Sequence, residues 1–179
     1  MSAGDDSTPA ARLALLQAEY LRPRKGAAPE RTATNQPPSA PIRLGVYDHL
    51  EACISEVVAD ARAAKAPEPT PRPRQLDGLY GWYIEQTAHL DAGRRQARDS
   101  VIYRQGLEHA VLMGDTSVIR PHPCPACATW GLFWSKEMQA IVCANRHCVD
   151  EDGLSTRWTF ADIADAHIRR QVRAVRRAT

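Results

Sequence analysis

Four cysteines in the last third of the chain have the residue type and the spacing for metal chemistry. Cys124 and Cys127 form a CxxC pair, and after fifteen residues Cys143 and Cys148 form a CxxxxC pair. Two thiolates this close in sequence can bind one ion from a single turn, and a hairpin that returns the chain would add the second pair. The spacing therefore predicts a single metal ion, Zn²⁺ before others, held by four thiolates.

The identity of the fourth ligand stays open because the second pair is wider than the commonest CxxC. His147 is adjacent to Cys148, and His122 is a more distant alternative; we favour Cys148, because Cys143 and Cys148 can flank one turn. An iron–sulfur cluster, a redox dithiol and plain reduced thiols are the other interpretations of the four cysteines. Four bound cysteines would leave the ion no open position for water, which predicts a structural and not a catalytic ion.

The residues around the cysteines alternate as in short strands. The alternation predicts one strand at 130–134, a returning strand at 140–142 that ends beside Cys143, and a third strand at 154–160 after a turn at 150–153. Three tryptophans in these segments suggest a small aromatic layer beside the metal. Such a layer would compensate for a core that so few residues cannot otherwise build.

Together these features resemble a known family. CPAC at 124–127 matches the first cysteine turn of a zinc ribbon, and CANRHC at 143–148 is a wider form of the second. The resemblance covers about residues 120–160, and the combined pattern is similar to zinc-ribbon proteins of actinobacteria and their phages. It implies a short antiparallel sheet built on zinc and implies no activity. The 20 Arg and 3 Lys, with abundant Ala, also indicate GC-rich coding, as in such bacteria and phages.

The elements before the ribbon are predicted to be helices joined by linkers. In the first unit, residues 1–40, Thr8-Pro9 can begin a short helix, and 22–40 has no apolar period and predicts a flexible linker. We expect that short helix to be a partly frayed arm rather than a specific partner-binding helix. Residues 66–75 are proline-rich and predict an extended spacer, in preference to a PxxP ligand.

The second unit, residues 41–117, is predicted to be helical. Its helices span about 41–65 and 77–113, and their apolar stripes favour antiparallel pairing. Asp77 can cap the second helix, and Gly93 is the expected position of a kink or division in it. Within these helices we expect Cys53 to be a buried, inert thiol, and three histidines to be surface or packing residues: His49, His89 and His109.

The third unit is the ribbon, 118–160, and the last is a basic helix, 161–179, with a capping box at Thr159 and Asp162. Residues 154–179 carry six Arg against two Asp, a net charge of +4 where the whole chain has +2. Clustered cations beside a zinc module can contact phosphates, although the helix dipole alone also favours cations at this end. The candidate nucleic-acid contacts are Arg157, Arg169, Arg170, Arg173, Arg176 and Arg177.

The predicted function class follows from what the chain has and lacks. The sequence has no GxSxG, Walker, dinucleotide or HExxH motif, so we expect no enzyme. The acidic N-terminus has no secretory h-region and no run suits a membrane span, which predicts a cytoplasmic protein. The sequence thus predicts an α+β, mostly α protein that acts as a non-catalytic zinc-ribbon module contacting nucleic acid or a nucleic-acid-processing complex. The alternative is a protein–protein adaptor or assembly component in which the ribbon and tryptophans form the contact.

Overall fold

A mostly helical fold surrounds one small sheet in the computed structural model, which describes residues 8–20 and 44–178. The helices are α1 (Pro9–Tyr20), α2 (Leu44–Ala64), α3 (Leu79–Gln86), α4 (Ala92–Leu112) and α5 (Phe160–Ala178). The strands are β1 (Leu132–Ser135), β2 (Ala140–Cys143) and β3 (Arg157–Trp158), with short 3₁₀ turns at Leu76–Gly78 and Thr116–Ile119. The predicted α+β, mostly α class is confirmed. The predicted linker at 22–40 and the start of the second predicted helix at 41–43 lie outside the described residues.

Two helix starts follow the local capping signals in the sequence. The Thr8 side-chain oxygen accepts a hydrogen bond from the backbone N–H of Ala11, and Pro9 is the first residue of α1. At α5, Thr159 and Asp162 form the reciprocal pair of a capping box: the Asp162 N–H donates to Thr159 Oγ1, and the Thr159 N–H donates to Asp162 Oδ2. Both predicted caps are confirmed.

The long helix predicted at 77–113 is two helices. Asp77 does not cap it: Asp77 lies inside the 3₁₀ turn, and α3 begins after Gly78 without a side-chain cap. The break lies at 87–91, because the Thr87 hydroxyl donates to the Tyr83 carbonyl at 2.6 Å and the Asp91 side chain accepts from the N–H of Arg94. The Asp91 carboxylate thus begins α4 just before Gly93, the residue that the sequence had indicated.

The first hydrophobic core joins α1, α2 and α3, and its buried residues are Leu13, Leu16, Val46, Leu50, Ile54, Val57, Ala61, Leu76, Leu79, Tyr80 and Tyr83. Leu13 and Leu16 have no exposed surface, so α1 is a docked helix. The expectation of a frayed arm is wrong. Burial of two leucines contributes roughly 3–6 kcal/mol before ordering costs, which a short helix needs to persist.

α1 also packs closely on α4. A Cβ added to Gly106 would lie 2.9 Å from Pro9 Cγ, so only glycine lets the two helices approach this far. The Arg12 guanidinium donates to the Gly106 carbonyl at 3.4 Å across the same contact. The sequence did not indicate this pairing, because its two partners are about 100 residues apart.

α2 and α4 run antiparallel, as predicted, but polar side chains connect them. The Gln105 amide donates to the Cys53 carbonyl at 3.3 Å, and Arg104 forms an ion pair with Glu56. The Tyr80 hydroxyl of α3 donates to Gln105 at 2.7 Å, so this buried amide links three helices.

The proline-rich spacer is attached to α3 by hydrogen bonds from two α3 side chains. The Trp82 indole N–H donates to the Thr70 carbonyl at 3.1 Å, and the Gln86 amide donates to Thr70 Oγ1 at 2.9 Å. The segment from 66 to 73 contains no helix or strand, as an extended spacer should.

The sheet is antiparallel in the order β1-β2-β3. Its inner face packs against α4 and α5 in a second core that includes Leu107, Ile119, Leu132, Ile141 and Ile163 together with Cys124, Cys143 and Cys148. The Trp134 ring of β1 stacks on Phe160 at the start of α5, with ring centroids 4.9 Å apart. Three of the four clustered cysteines and the basic helix therefore share one core. Residues of α4 pack in both cores. The division into units at 1–40, 41–117, 118–160 and 161–179 stays a prediction.

Candidate metal centre and basic helix

The first cysteine turn is closed by backbone hydrogen bonds. The Ala128 N–H donates to the Cys124 carbonyl at 2.9 Å, and the Cys124 N–H donates to the Thr129 carbonyl at 3.0 Å. This tight reversal places Ala128 in the left-handed region, with φ of 57°, which costs a residue with a Cβ roughly 1–2 kcal/mol. The turn brings Cys124 and Cys127 to the same side of the chain.

The second turn is held by the third strand. Cys143 is the last residue of β2, and its N–H donates to the Thr156 carbonyl at 3.1 Å. The Thr156 N–H in turn donates to the Cys148 carbonyl at 3.0 Å, so one residue beside β3 fixes both cysteines of this pair. Within the turn, the Cys148 N–H donates to the Asn145 carbonyl at 2.8 Å.

The four sulfur atoms lie together at spacings that suit one ion. Cys124 Sγ is 3.7 Å from Cys148 Sγ, Cys127 Sγ is 3.7 Å from Cys143 Sγ, and all four lie within 4.8 Å of one another. A tetrahedron with metal–sulfur bonds of about 2.3 Å has sulfur–sulfur edges of about 3.8 Å, whereas a disulfide bond is about 2.05 Å long. The arrangement thus fits a single tetrahedral ion.

Both histidines that could replace a cysteine lie outside this cluster. His122 is buried and engaged elsewhere: Nε2 lies 2.8 Å from the Tyr103 hydroxyl, and Nδ1 lies 3.1 Å from the Ile119 carbonyl. His147 is exposed and precedes Cys148, whose sulfur completes the group of four.

Hydroxyl groups and burial set the proton affinity of the sulfurs. Hydrogen bonding of Cys127 with the Thr129 side chain and backbone lowers the pKa of Cys127 to about 6, while burial raises the pKa of Cys143 to about 12. The Thr156 hydroxyl lies 3.4 Å from the Cys148 sulfur. Hydroxyl partners of this kind orient metal-bound thiolates, and a cation at the centre would favour ionisation of the buried thiols.

α5 presents most of the predicted arginine contacts to solvent. Its inner face buries Ile163, Ala164 and Ile168, and the opposite face carries arginines at exposed positions: Arg169, Arg173, Arg176 and Arg177. In the part of the chain that the structure describes, no carboxylate lies within ion-pair distance of these four. They form an unneutralised basic face about 12 Å long at 1.5 Å per residue.

The other two predicted arginines have different surroundings. Arg170 is half-buried, and its guanidinium donates to the Pro123 carbonyl at 3.4 Å, next to the first cysteine turn. Arg157 lies on β3 and is half exposed, and its guanidinium is 3.9 Å from an Asp150 carboxylate oxygen. Arg170 therefore attaches α5 to the ribbon, and Arg157 is not part of the α5 face.

One further cation lies beside the basic face. α4 and α5 pack together, and a surface groove between them is lined by Gly93, Arg95, Val172 and Arg176, among others. Arg95 belongs to the basic run RRQAR at 94–98, which is far from α5 along the chain, so the sequence gives no indication of this contact. The fold adds Arg95 to the arginines of α5.

In the described ranges, 8–20 and 44–178, no helix is long and apolar enough to cross a membrane. Comparisons of the chain with protein-family models, curated proteins and solved structures return no match. The resemblance to zinc-ribbon proteins of actinobacteria and their phages stays a prediction.

Proposed function

We propose that this chain is a non-catalytic binding module in which a structural Zn²⁺ ion fixes a basic helix for contact with nucleic acid. Cys124, Cys127, Cys143 and Cys148 hold the ion. The observation that carries the proposal is the shared core: the sheet beside the cysteines also packs the inner face of α5, and the exposed arginines lie on the opposite face.

Zinc is the ion that best suits these ligands. Four thiolates favour Zn²⁺ or iron over hard cations, and a spacing that encloses one ion leaves no space for the additional iron and sulfide atoms of a cluster. Since all four positions are taken by sulfur, the ion stabilises the ribbon and performs no reaction.

The partner follows from the charge on α5. Nucleic acid carries one phosphate for every ~3.4 Å of each strand, so a face about 12 Å long can meet several phosphates. Arginine binds phosphate oxygens with two parallel N–H groups, and the packed inner face fixes the helix from which the side chains extend. We expect a cytoplasmic protein whose binding depends on salt and little on base sequence.

Fluorescence anisotropy with a labelled 20-base-pair DNA duplex over a range of salt concentrations tests the proposal. Replacement of Arg169, Arg173 and Arg176 by Gln removes three phosphate contacts, so the slope of log K against log salt should decrease by about 2.7. At 0.1 M salt the affinity should fall on the order of 10²–10³-fold.

A matched variant separates this contact from net charge. Arg62, Arg72 and Arg74 are exposed and lie on other elements. Replacing all three by Gln removes the same charge and should leave the salt slope nearly unchanged. Equal losses in both variants would show that net charge, not the α5 face, governs binding. The same titration with an RNA hairpin distinguishes RNA from DNA.

A protein–protein adaptor is the second candidate, because the ribbon exposes large apolar side chains. Trp130 is 68% exposed, Leu154 57% and Phe133 46%. Exposed apolar surface of this kind marks many interaction sites. No binding to any nucleic acid at low salt, together with a stable oligomer in sedimentation, would favour the adaptor over the nucleic-acid module.

A further inference from the structure

A second group of metal-ligating side chains lies between α2 and α4, apart from the four cysteines. It consists of His49, Cys53 and His109, each of which offers a ligand atom within 4.8 Å of the other two. His49 and Cys53 are one helical turn apart on α2, so both project from one side of that helix. His109 faces them from α4.

His109 has a buried polar ring that no hydrogen bond accounts for. The residue has no exposed surface, and neither Nδ1 nor Nε2 makes a hydrogen bond. Burial lowers the pKa of His109, and the nearby Pro9 backbone offsets part of this effect. The contact with Pro9 does not have the geometry of a hydrogen bond. A buried imidazole without partners is costly, and such a group in a native fold requires an explanation.

A hydrogen bond between the other two residues does not supply that explanation. His49 Nε2 lies 3.4 Å from the Cys53 sulfur, and a hydrogen bond would account for this distance. It would not account for the position of His109. The His49 and His109 rings meet edge to face with centroids 5.2 Å apart, and His109 stays without a partner.

The three ligand atoms lie within 4.8 Å of one another, and the separation of His49 from Cys53 can be compared with coordination geometry. With metal–sulfur bonds of about 2.3 Å and metal–nitrogen bonds of about 2.0–2.1 Å, tetrahedral angles give a sulfur–nitrogen distance of about 3.5 Å. The observed 3.4 Å between His49 Nε2 and the Cys53 sulfur agrees with this value.

The charges around the group act in opposite directions. Burial and the carboxylates of Glu108 and Glu56 raise the pKa of the Cys53 thiol, whereas burial and the Arg104 guanidinium, which pairs with both carboxylates, lower the pKa of His49. The positions of the three ligands, and not the local charge, favour an ion here.

We propose that His49, Cys53 and His109 form a second metal site, for Zn²⁺ or a transition-metal ion of similar softness. Two imidazoles and one thiolate are ligands that Zn²⁺ prefers. Cys53 loses its proton to solvent when the ion binds, and the fourth position is left for water or another small ligand. The ion would join α2 to α4. In contrast to the four-cysteine centre, this site is coordinatively open.

The sequence indicates only two of the three proposed ligands. His49 and Cys53 are four residues apart, the spacing that places two ligands on one helical face. His109 is 56 residues beyond Cys53 in the chain and became the third ligand only through the antiparallel packing of α2 and α4.

Metal counting on the full-length protein tests the site. After equilibrium dialysis of the zinc-loaded protein against buffered Zn²⁺, the wild type should hold two ions per chain. His49→Gln and Cys53→Ser should each hold one ion and keep their far-ultraviolet dichroism. His89→Gln, at an exposed histidine near the other end of α2, should still hold two. One ion per chain in the wild type would overturn the proposal, as would two in both His49→Gln and Cys53→Ser.

Cobalt spectroscopy tests the thiolate ligand independently. Protein produced with Co²⁺ should carry five cobalt–thiolate bonds, four in the ribbon and one at Cys53. Cys53→Ser should therefore lose about one-fifth of the thiolate-to-cobalt absorption, and His89→Gln should lose none. Unchanged absorption in Cys53→Ser would contradict ligation by Cys53. Neither result depends on nucleic-acid binding, so this proposal can fail while the proposed function holds.

Discussion

Removal of the ribbon metal should unfold one part of the chain and spare another. The apparent binding free energy of a structural zinc ion is about 10–16 kcal/mol, comparable to the whole stability of a typical domain, about 5–15 kcal/mol. The ribbon core has few large apolar residues, and Cys124, Cys143 and Cys148 make up much of its buried centre. Without the ion these thiols are no longer joined through one metal, so the ribbon cannot offset the conformational entropy cost of ordering its loops.

The perturbation is Cys124→Ser, and the assay is circular dichroism. Near-ultraviolet signals of Trp134 and Trp158, which pack in the ribbon core, should be lost. Far-ultraviolet helix signal should persist in part, because α1, α2 and α3 share a separate core. Chelation of the wild type should give the same loss.

Cys53→Ser is the matched control for this experiment, because it makes the same chemical change outside the four-cysteine cluster. Its near-ultraviolet tryptophan spectrum should keep the ribbon signals. If Cys124→Ser or the chelated wild type retained the complete near-ultraviolet spectrum, the ion would not be the element that holds the ribbon, and the reasoning would be refuted.

Three further predictions concern single side chains. Ala128→Gly relieves the left-handed backbone of the first cysteine turn and should raise the free energy of unfolding by about 1 kcal/mol in denaturant titration; a decrease would contradict the turn geometry. Gly106→Ala should cost roughly 1–3 kcal/mol through the contact with Pro9, whereas Gly81→Ala, whose added Cβ meets no atom within 4 Å, should be neutral or stabilising. Equal effects of the two alanines would mean that α1 does not dock there. Burial lowers the pKa of His167 to about 4 in the folded chain against 6.5 unfolded, so its contribution is complete above pH 6.5 and is lost as the pH falls towards 4. Between pH 7 and 5 the wild type should lose about 1 kcal/mol more than His167→Phe, after allowance for partial exposure, and parallel pH profiles would exclude this contribution.

The His167 prediction depends on its neighbours. Its ring stacks on Tyr103 with centroids 4.1 Å apart, and His122 lies at 5.3 Å. The Arg170 cation also lowers the pKa, and the Gln171 amide lies 2.9 Å from Nε2. Phenylalanine keeps the stacking and removes the titrating group, so the difference between the two profiles isolates the imidazole.

Local signals in the sequence were reliable predictors of the fold. The Thr159 and Asp162 capping box, the start of α1 at Pro9 and the hairpin between the cysteine pairs all depend on residues close together in the chain, and the structure contains each of them. The prediction for Asp77 was wrong because Asp77 lies inside a 3₁₀ turn and Gly78 precedes α3, whereas Asp91 caps α4.

Contacts between distant residues could not be predicted in this way. From the sequence alone, Gly106 is a glycine that weakens a helix. The structure shows that it allows Pro9 of α1 to approach α4 closely. His109 looked like a surface or packing residue, yet it is fully buried without a hydrogen bond. Arg95 joins the arginines of α5 only because α4 and α5 pack together. Each of these facts is set by tertiary packing between residues that are distant in the chain, and no local sequence pattern indicates it.

X-ray absorption at the zinc edge tests the central claim most directly. Purified His49→Gln keeps the four-cysteine centre and removes a ligand of the second site, so one coordination environment should remain. The spectrum should fit four sulfur atoms at about 2.3 Å and no nitrogen or oxygen ligand. A protein without zinc, or a fit that needs a histidine nitrogen in place of a sulfur, would contradict the claim that the four cysteines hold the ion.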